Sequence, residues 1–395
     1  MRRYLTPRLA LLSLAHFSVD AYSSFFSPLL PLLVVKLHLS LTAVGSLVAL
    51  ASLSSSFSQL LFGWLSDRLH RPWFVAFGPL IGALFLSGIG LAPSFVWLVA
   101  LLMVGGMGAA AFHPQAAAIA GSLSARRSLA MSLFVTGGTL GFALGPIYAV
   151  TVVGALGLTH TWLAALPGVL VAALLLSWFM RVAPQPRSHG PRPAFRELAP
   201  VARPLTLLYF VVVCRSAVSY GFMTFLPLHL HRLGYSVKAG GWLLTAYLGL
   251  GALGGLFGGW MAERWGGRRV VIASFIAATP LFFGFVLLPI VPALVCLIAG
   301  GFALQTSLPV NVVLGQELSP RHSSTISSLL MGAAWGVGAL LIGPIGALAD
   351  AHGLEWALRC LAGLLPIGLM CALALPTTHA PIHAAETLQP IGVTE

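Results

Sequence analysis

Twelve apolar runs, each near the length a helix needs to cross a bilayer, dominate this chain. They lie at about 8–35, 42–65, 73–92, 95–121, 128–153 and 161–181, then at about 205–231, 239–261, 270–290, 293–317, 323–349 and 354–376. About 20 apolar residues in a helix span a hydrocarbon core of about 30 Å. Only 8% of the 395 residues are charged and 58% are hydrophobic, with a mean hydropathy of +0.95. A water-soluble chain of this size has no interior large enough to hide so much apolar surface. A soluble enzyme, a disordered chain and a disulfide scaffold are therefore excluded. The expected fold class is an all-α membrane protein of twelve transmembrane helices.

The formal net charge of +12 would suggest nucleic acid in a soluble protein. Here the position of the charges argues against a nucleic-acid partner, because they cluster in short loops. With the N-terminus inside, sixteen of the 21 Lys and Arg fall on the inner side, and Lys36, Arg232, Lys238 and Arg359 on the outer side. That asymmetry predicts cytoplasmic termini and a multi-pass protein of the bacterial inner membrane. The N-terminal apolar run lacks a small-x-small cleavage site and continues past Asp20, so it reads as a retained first helix. Cys214, Cys296, Cys360 and Cys371 lie in or beside apolar runs without metal-type spacing, and read as packing residues.

The sequence also repeats. The loop Gly63-Trp-Leu-Ser-Asp67-Arg68-Leu-His-Arg71 recurs as Gly259-Trp-Met-Ala-Glu263-Arg264-Trp-Gly-Gly-Arg268-Arg269, with 196 residues from Asp67 to Glu263. Pro31 and Pro227 are also 196 apart, and Pro114 and Pro309 are 195 apart. Arg126 with Arg321, and Gly145-Pro146 with Gly343-Pro344, continue the pattern. Six helices repeated in the same orientation predict two bundles related by an axis along the membrane normal. The expected division is a first bundle at 1–183, a Pro- and Arg-rich cytoplasmic linker at 184–204, a second bundle at 205–378 and a mobile tail at 379–395.

The paired loops resemble the cytoplasmic loop signature of the major facilitator superfamily, and that likeness covers about the whole chain. Within it, Leu14-Ala-His16-Phe-Ser-Val-Asp20, Ala111-Phe-His113-Pro114-Gln115, Arg215-Ser216, Phe225-Leu-Pro227-Leu and Gly315-Gln-Glu317-Leu-Ser-Pro320 resemble the fosmidomycin-resistance family of efflux transporters. The resemblance implies alternating access, monomeric function, export, and a preference for phosphonate-like compounds.

Intramembrane charge is costly and usually marks a transport path or a proton relay. Asp20 and Arg215 are 195 residues apart, so they occupy equivalent places in the two halves near mid-depth. They are expected to face one another across a central cavity, with Asp20 exchanging protons and Arg215 holding an anionic substrate. His16 lies one helical turn before Asp20 and is its expected partner in proton coupling. His113, just before a helix-bending Pro114, is a candidate substrate contact. Gln305, Asn311 and Trp335 are weaker candidates, with Gln305 and Trp335 near mid-depth and expected among the substrate contacts. Asp67, Arg68, Arg71, Glu263, Arg264, Arg268 and Glu317 read as charged gating groups at the inner face, a role the resemblance supports. The runs from Gly137 to Gly145 and from Gly249 to Gly259 predict close helix contacts. No catalytic triad, metal cluster or cofactor motif stands out.

These residues predict a proton-driven secondary transporter of small anionic compounds, and the resemblance implies export and phosphonate-like substrates such as fosmidomycin. Its partners would be a small-molecule substrate, protons and membrane lipid. The same groups would also serve a proton symporter importing sugars or organic anions. A lipid flippase and a non-transporting membrane sensor are the other classes considered.

Overall fold

A computed structural model describes residues 6–66, 72–123, 127–179 and 195–376. Asp67, Arg68 and Arg71, most of the linker and the C-terminal tail lie outside the described residues. Twelve helical segments are long and apolar enough to cross a membrane. They are α1 (Pro7–Leu37), α2 (Leu41–Ser66), α3 (Trp73–Leu91), α4 (Phe95–Ala120), α5 (Ala130–Leu156) and α6 (Leu158–Trp178). The second half supplies α7 (Leu198–Arg232), α8 (Val237–Trp265), α9 (Gly267–Leu287), α10 (Ile290–Leu318), α11 (Thr325–His352) and α12 (Leu354–Leu373). Each lies close to its expected run. An even number of crossings returns the chain to the face it started from, called proximal below; the opposite face is distal.

Local chemistry sets the segment ends. Thr6 caps α1, its hydroxyl accepting from the Leu9 N–H at 3.2 Å, with Pro7 just inside. Ser236 caps α8 in the same way, accepting from the Ala239 N–H at 3.1 Å. The connections after α5, α7, α8 and α11 turn at Gly157, Gly234, Gly266 and Gly353, all with positive φ. Large apolar side chains such as Val96, Leu256 and Val291 stay exposed on the periphery, as a protein dissolved in lipid requires. Phe222, Phe225, Phe275 and Phe282 are fully enclosed in the second half.

Three segments are broken, which the unbroken apolar runs did not predict. α1 is interrupted at Ser24–Phe25, α10 at Thr306 and α11 at Leu341. Pro28, Pro309 and Pro344 explain the positions. Each lacks the N–H that would bind the carbonyl four residues earlier, at Ser24, Gln305 and Leu340. α11 also contains a π-helical turn at Leu329–Ala333, immediately before Trp335.

Glycines bring backbones together, as their spacing predicted. In the first half α5 lies on α1, with Gly137, Gly141 and Gly145 against the carbonyls of Ser13, Phe17 and Ala21. In the second half α8 lies on α10, with Gly254 and Gly258 against the carbonyls of Phe302 and Thr306. A side chain at Gly141 would meet backbone, which has no rotamer by which to yield. Gly141→Ala is therefore expected to cost about 1–3 kcal/mol and to lower the thermal unfolding midpoint in detergent. A midpoint equal to wild type would contradict the close α1–α5 seam.

Candidate functional site

Two polar clusters lie inside the helical core, one in each half of the chain. The first surrounds Asp20 of α1, whose side chain is 19% exposed. His16 Nε2 lies 3.3 Å from Asp20 Oδ2. His113 of α4 places Nε2 3.0 Å from Asp20 Oδ1. The opposite edge of His16 is also held: its Nδ1 is 2.8 Å from the Phe134 carbonyl of α5. The Phe134 ring stacks on the His16 ring at 4.2 Å between centroids. One carboxylate is thus clasped by two imidazoles from two helices, and a third helix supplies the backing. Ligand-type atoms of the three residues lie within 4.8 Å of one another, a spacing that metal sites share. Here each of those atoms makes a hydrogen-bonding contact within the cluster.

The second cluster surrounds Arg215 of α7, only 3% exposed. One terminal nitrogen donates to Gln305 Oε1 of α10 at 3.1 Å, and the other to Ser216 Oγ at 3.2 Å. The Trp335 ring of α11 lies 5.5 Å from the guanidinium carbon, within cation–π range. The Arg215 Nε–H is buried without a hydrogen-bond partner. Among the described residues no carboxylate lies within ion-pair distance of Arg215.

Asp20 and Arg215 therefore do not pair; the structure places them in separate clusters. His113, expected among the substrate contacts, stands against Asp20 instead. Gln305 and Trp335 are brought to Arg215. Asn311 is buried in α10, with both amide atoms lacking partners. At the proximal face Arg268 donates to the Leu373 and Leu375 carbonyls at 2.7 and 2.8 Å, capping the end of α12. Arg264 covers the Trp260 ring at 4.2 Å. Among the described residues no ion pair joins Glu263 or Glu317 to Arg264 or Arg268.

Sequence reading missed Phe134 and Asp350. Phe134 acts through its carbonyl, which no residue type reveals. Asp350, near the distal end of α11, reads as one more end-of-helix charge. In the structure it joins the two halves. Its Oδ1 accepts from the Leu41 N–H at 2.8 Å, and its Oδ2 from the Thr42 N–H at 2.8 Å and the Thr42 hydroxyl at 2.6 Å. It thereby caps the first turn of α2, where free N–H groups and the helix dipole favour an anion. Gly45 and Gly346 beside it meet the Ile342 and Leu41 backbones. Nearby, Val150 of α5 packs on Gly241 of α8, and Thr245 Oγ1 accepts from the Ile147 N–H at 3.2 Å. These contacts join the two halves toward the distal face.

Comparison with known proteins agrees with this architecture. The profile of the Major Facilitator Superfamily matches residues 12–343. The chain is 28% identical over 388 residues to an uncharacterized MFS-type transporter, YfnC, of Bacillus subtilis, covering 94% of this chain and 93% of that one. It is 27% identical over 374 residues to the fosmidomycin resistance protein of Escherichia coli, covering 92% and 91%. Among solved structures, an inward-facing, unoccupied bacterial homologue of the human lysosomal transporter Spinster superposes with a TM-score of 0.78 at 18% identity, covering 93% of this chain and 97% of that one. The nucleoside transporter NupG gives a TM-score of 0.75 at 14% identity, covering 94% of this chain and 99% of that one.

The chain belongs to the Major Facilitator Superfamily. It is a multi-pass membrane transporter, with the bacterial inner membrane as its location.

The distal seam gives a direct test. Asp350→Ala removes the anion that caps α2 and links it to α11. In a background without the four native cysteines, Val150→Cys is expected to react slowly with a membrane-impermeant maleimide supplied from the distal side. Adding Asp350→Ala should raise that rate several-fold. An unchanged rate would show that the carboxylate does not hold the seam.

Proposed function

We propose that this chain is a proton-coupled exporter of small anionic compounds, phosphonate-like drugs such as fosmidomycin among them, working by alternating access as a monomer. The observation that carries this reading is Arg215. A buried guanidinium with no carboxylate in reach, among the described residues, is an unneutralised charge in a medium that penalises charge. An anionic ligand would supply what the chain withholds. The Gln305 amide and the Ser216 hydroxyl hold the fork in place, and the unpartnered Nε–H leaves a donor edge for an oxyanion. Trp335 would pack against the body of the substrate.

The Asp20 cluster takes the proton role in this reading. A carboxylate clasped by two imidazoles offers three groups among which a proton can pass. His113 moves, in this proposal, from the substrate list to the proton network. Substrate neutralises Arg215, and a proton neutralises Asp20. Each passage across the membrane then carries a site relieved of its charge. The excess of Lys and Arg on the proximal side supports a cytoplasmic proximal face. Export and the phosphonate preference draw on the likeness to the fosmidomycin resistance protein.

The test begins with drug susceptibility of cells expressing the protein, fosmidomycin included, followed by proton release on adding any compound that scores. In proteoliposomes, Asp20→Asn is expected to abolish transport driven by a pH gradient; full transport by that variant would refute the proton assignment. Arg215→Ala should weaken anionic substrates by about 10- to 100-fold, the scale of a lost charge-assisted hydrogen bond. Neutral substrates should change little. Equal loss for both classes would make Arg215 a structural residue.

A further inference from the structure

The Phe134 carbonyl constrains where the protons of the Asp20 cluster reside. A carbonyl oxygen can only accept a hydrogen bond. The 2.8 Å contact with His16 Nδ1 therefore requires a hydrogen on Nδ1. A neutral imidazole has one N–H, so its Nε2 then carries a bare lone pair. That Nε2 faces Asp20 Oδ2 at 3.3 Å. An ionised carboxylate facing a bare nitrogen would be two acceptors in repulsion. The contact is attractive only with a proton between them, on the imidazole or on the carboxyl. His113 cannot supply it there, because it addresses the other carboxylate oxygen, Oδ1.

The wall behind this contact is Gly138, one helical turn after Phe134 on α5. A Cβ at Gly138 would fall on His16 Nε2 and Cε1, and 2.6 Å from Asp20 Oδ2. The two α5 positions thus act on the same pair. Phe134 orients the imidazole, and Gly138 leaves room for it to meet the carboxylate. Neither has a side chain that could exchange a proton itself. No other acidic or basic side chain forms an ion pair with this cluster among the described residues.

We propose that Phe134, through its carbonyl, and Gly138 are positioning residues that fix His16 as the Nδ1–H form and so make a shared His16–Asp20 proton a condition of this conformation. Loss of that proton turns the contact repulsive and drives the His16 ring and the Asp20 carboxylate apart. This inference deepens the proton reading above and rests on it for its transport consequence. The protonation pattern itself does not depend on transport.

Two measurements separate the cases. The first is nitrogen NMR of the full chain in liposomes, labelled at histidine, with His16→Gln identifying the His16 signals. The expected result is Nδ1 protonated throughout a pH titration, with Nε2 losing its proton as pH rises. An Nε2–H form at high pH overturns the proposal, whether or not the protein couples to protons. The second is the pH profile of transport by Gly138→Ala. The added methyl pushes His16 off Asp20 and loosens the shared proton. The midpoint should move toward acid by about one pH unit, a roughly tenfold loss of proton affinity. Lower activity with an unmoved midpoint would make Gly138 a packing residue only and overturn its assigned role. A wild-type protein indifferent to a pH gradient would sink the coupling reading and leave the NMR result to decide the rest.

Discussion

A charged group buried in a membrane protein has no water to fall back on, so the chain must satisfy it or leave it for a ligand. The two halves answer this demand differently. In the first, Asp20 receives two imidazoles, and one of these is in turn held by a backbone carbonyl. In the second, Arg215 receives an amide and a hydroxyl but no counter-charge among the described residues. A closed ion pair between the halves would have been a poor source of stability and an obstacle to any substrate. In the proposed cycle, keeping the two charges in separate clusters leaves the acid free to exchange a proton and the base free to meet an anion.

Much of the fold was legible because lipid imposes one rule on every segment. Each crossing needs about 20 apolar residues in a helix that satisfies its own backbone. That rule marks all twelve segments, and the 195- or 196-residue offsets mark their duplication. The site was half legible. His16 and Asp20, four apart on one helix, are neighbours by helical geometry alone. Gln305 and Trp335 do reach Arg215. Asp20 and Arg215 form no ion pair with one another, and equivalent positions in a repeat fix depth without naming the neighbours each side chain meets. Asp350 stayed hidden for another reason. Its partners are backbone amides more than 300 residues away, and backbone groups carry no sequence signature.

The breaks in α1 and α10, and the π-turn of α11, lie close to the two clusters. The α1 interruption follows Asp20 by one turn, the α10 interruption follows Gln305 directly, and the π-turn of α11 precedes Trp335. In each broken segment a proline four residues downstream leaves a carbonyl without its helical partner. Such breaks loosen the backbone beside the clusters, while Arg215 and His113 stand on uninterrupted helix.

The seams between helices differ in what parting them would cost. Along α1 and α5, backbone meets backbone at three successive glycines in the interior, and separation would open space that only side chains or lipid could fill. At the distal face the halves are joined by Asp350, Leu41 and Thr42, in a region where Asp350 is exposed. Water can replace each of those hydrogen bonds as it breaks, so their net worth is small beside their number. A capped helix end at the water boundary is therefore a join that holds one arrangement without making it permanent. The interior seams keep each half stiff, while the distal join combines glycine packing at Gly45 and Gly346 with hydrogen bonds that solvent can repair. In the proposed cycle, that difference is what would let a change of charge at Asp20 or Arg215 become a change in which face is open.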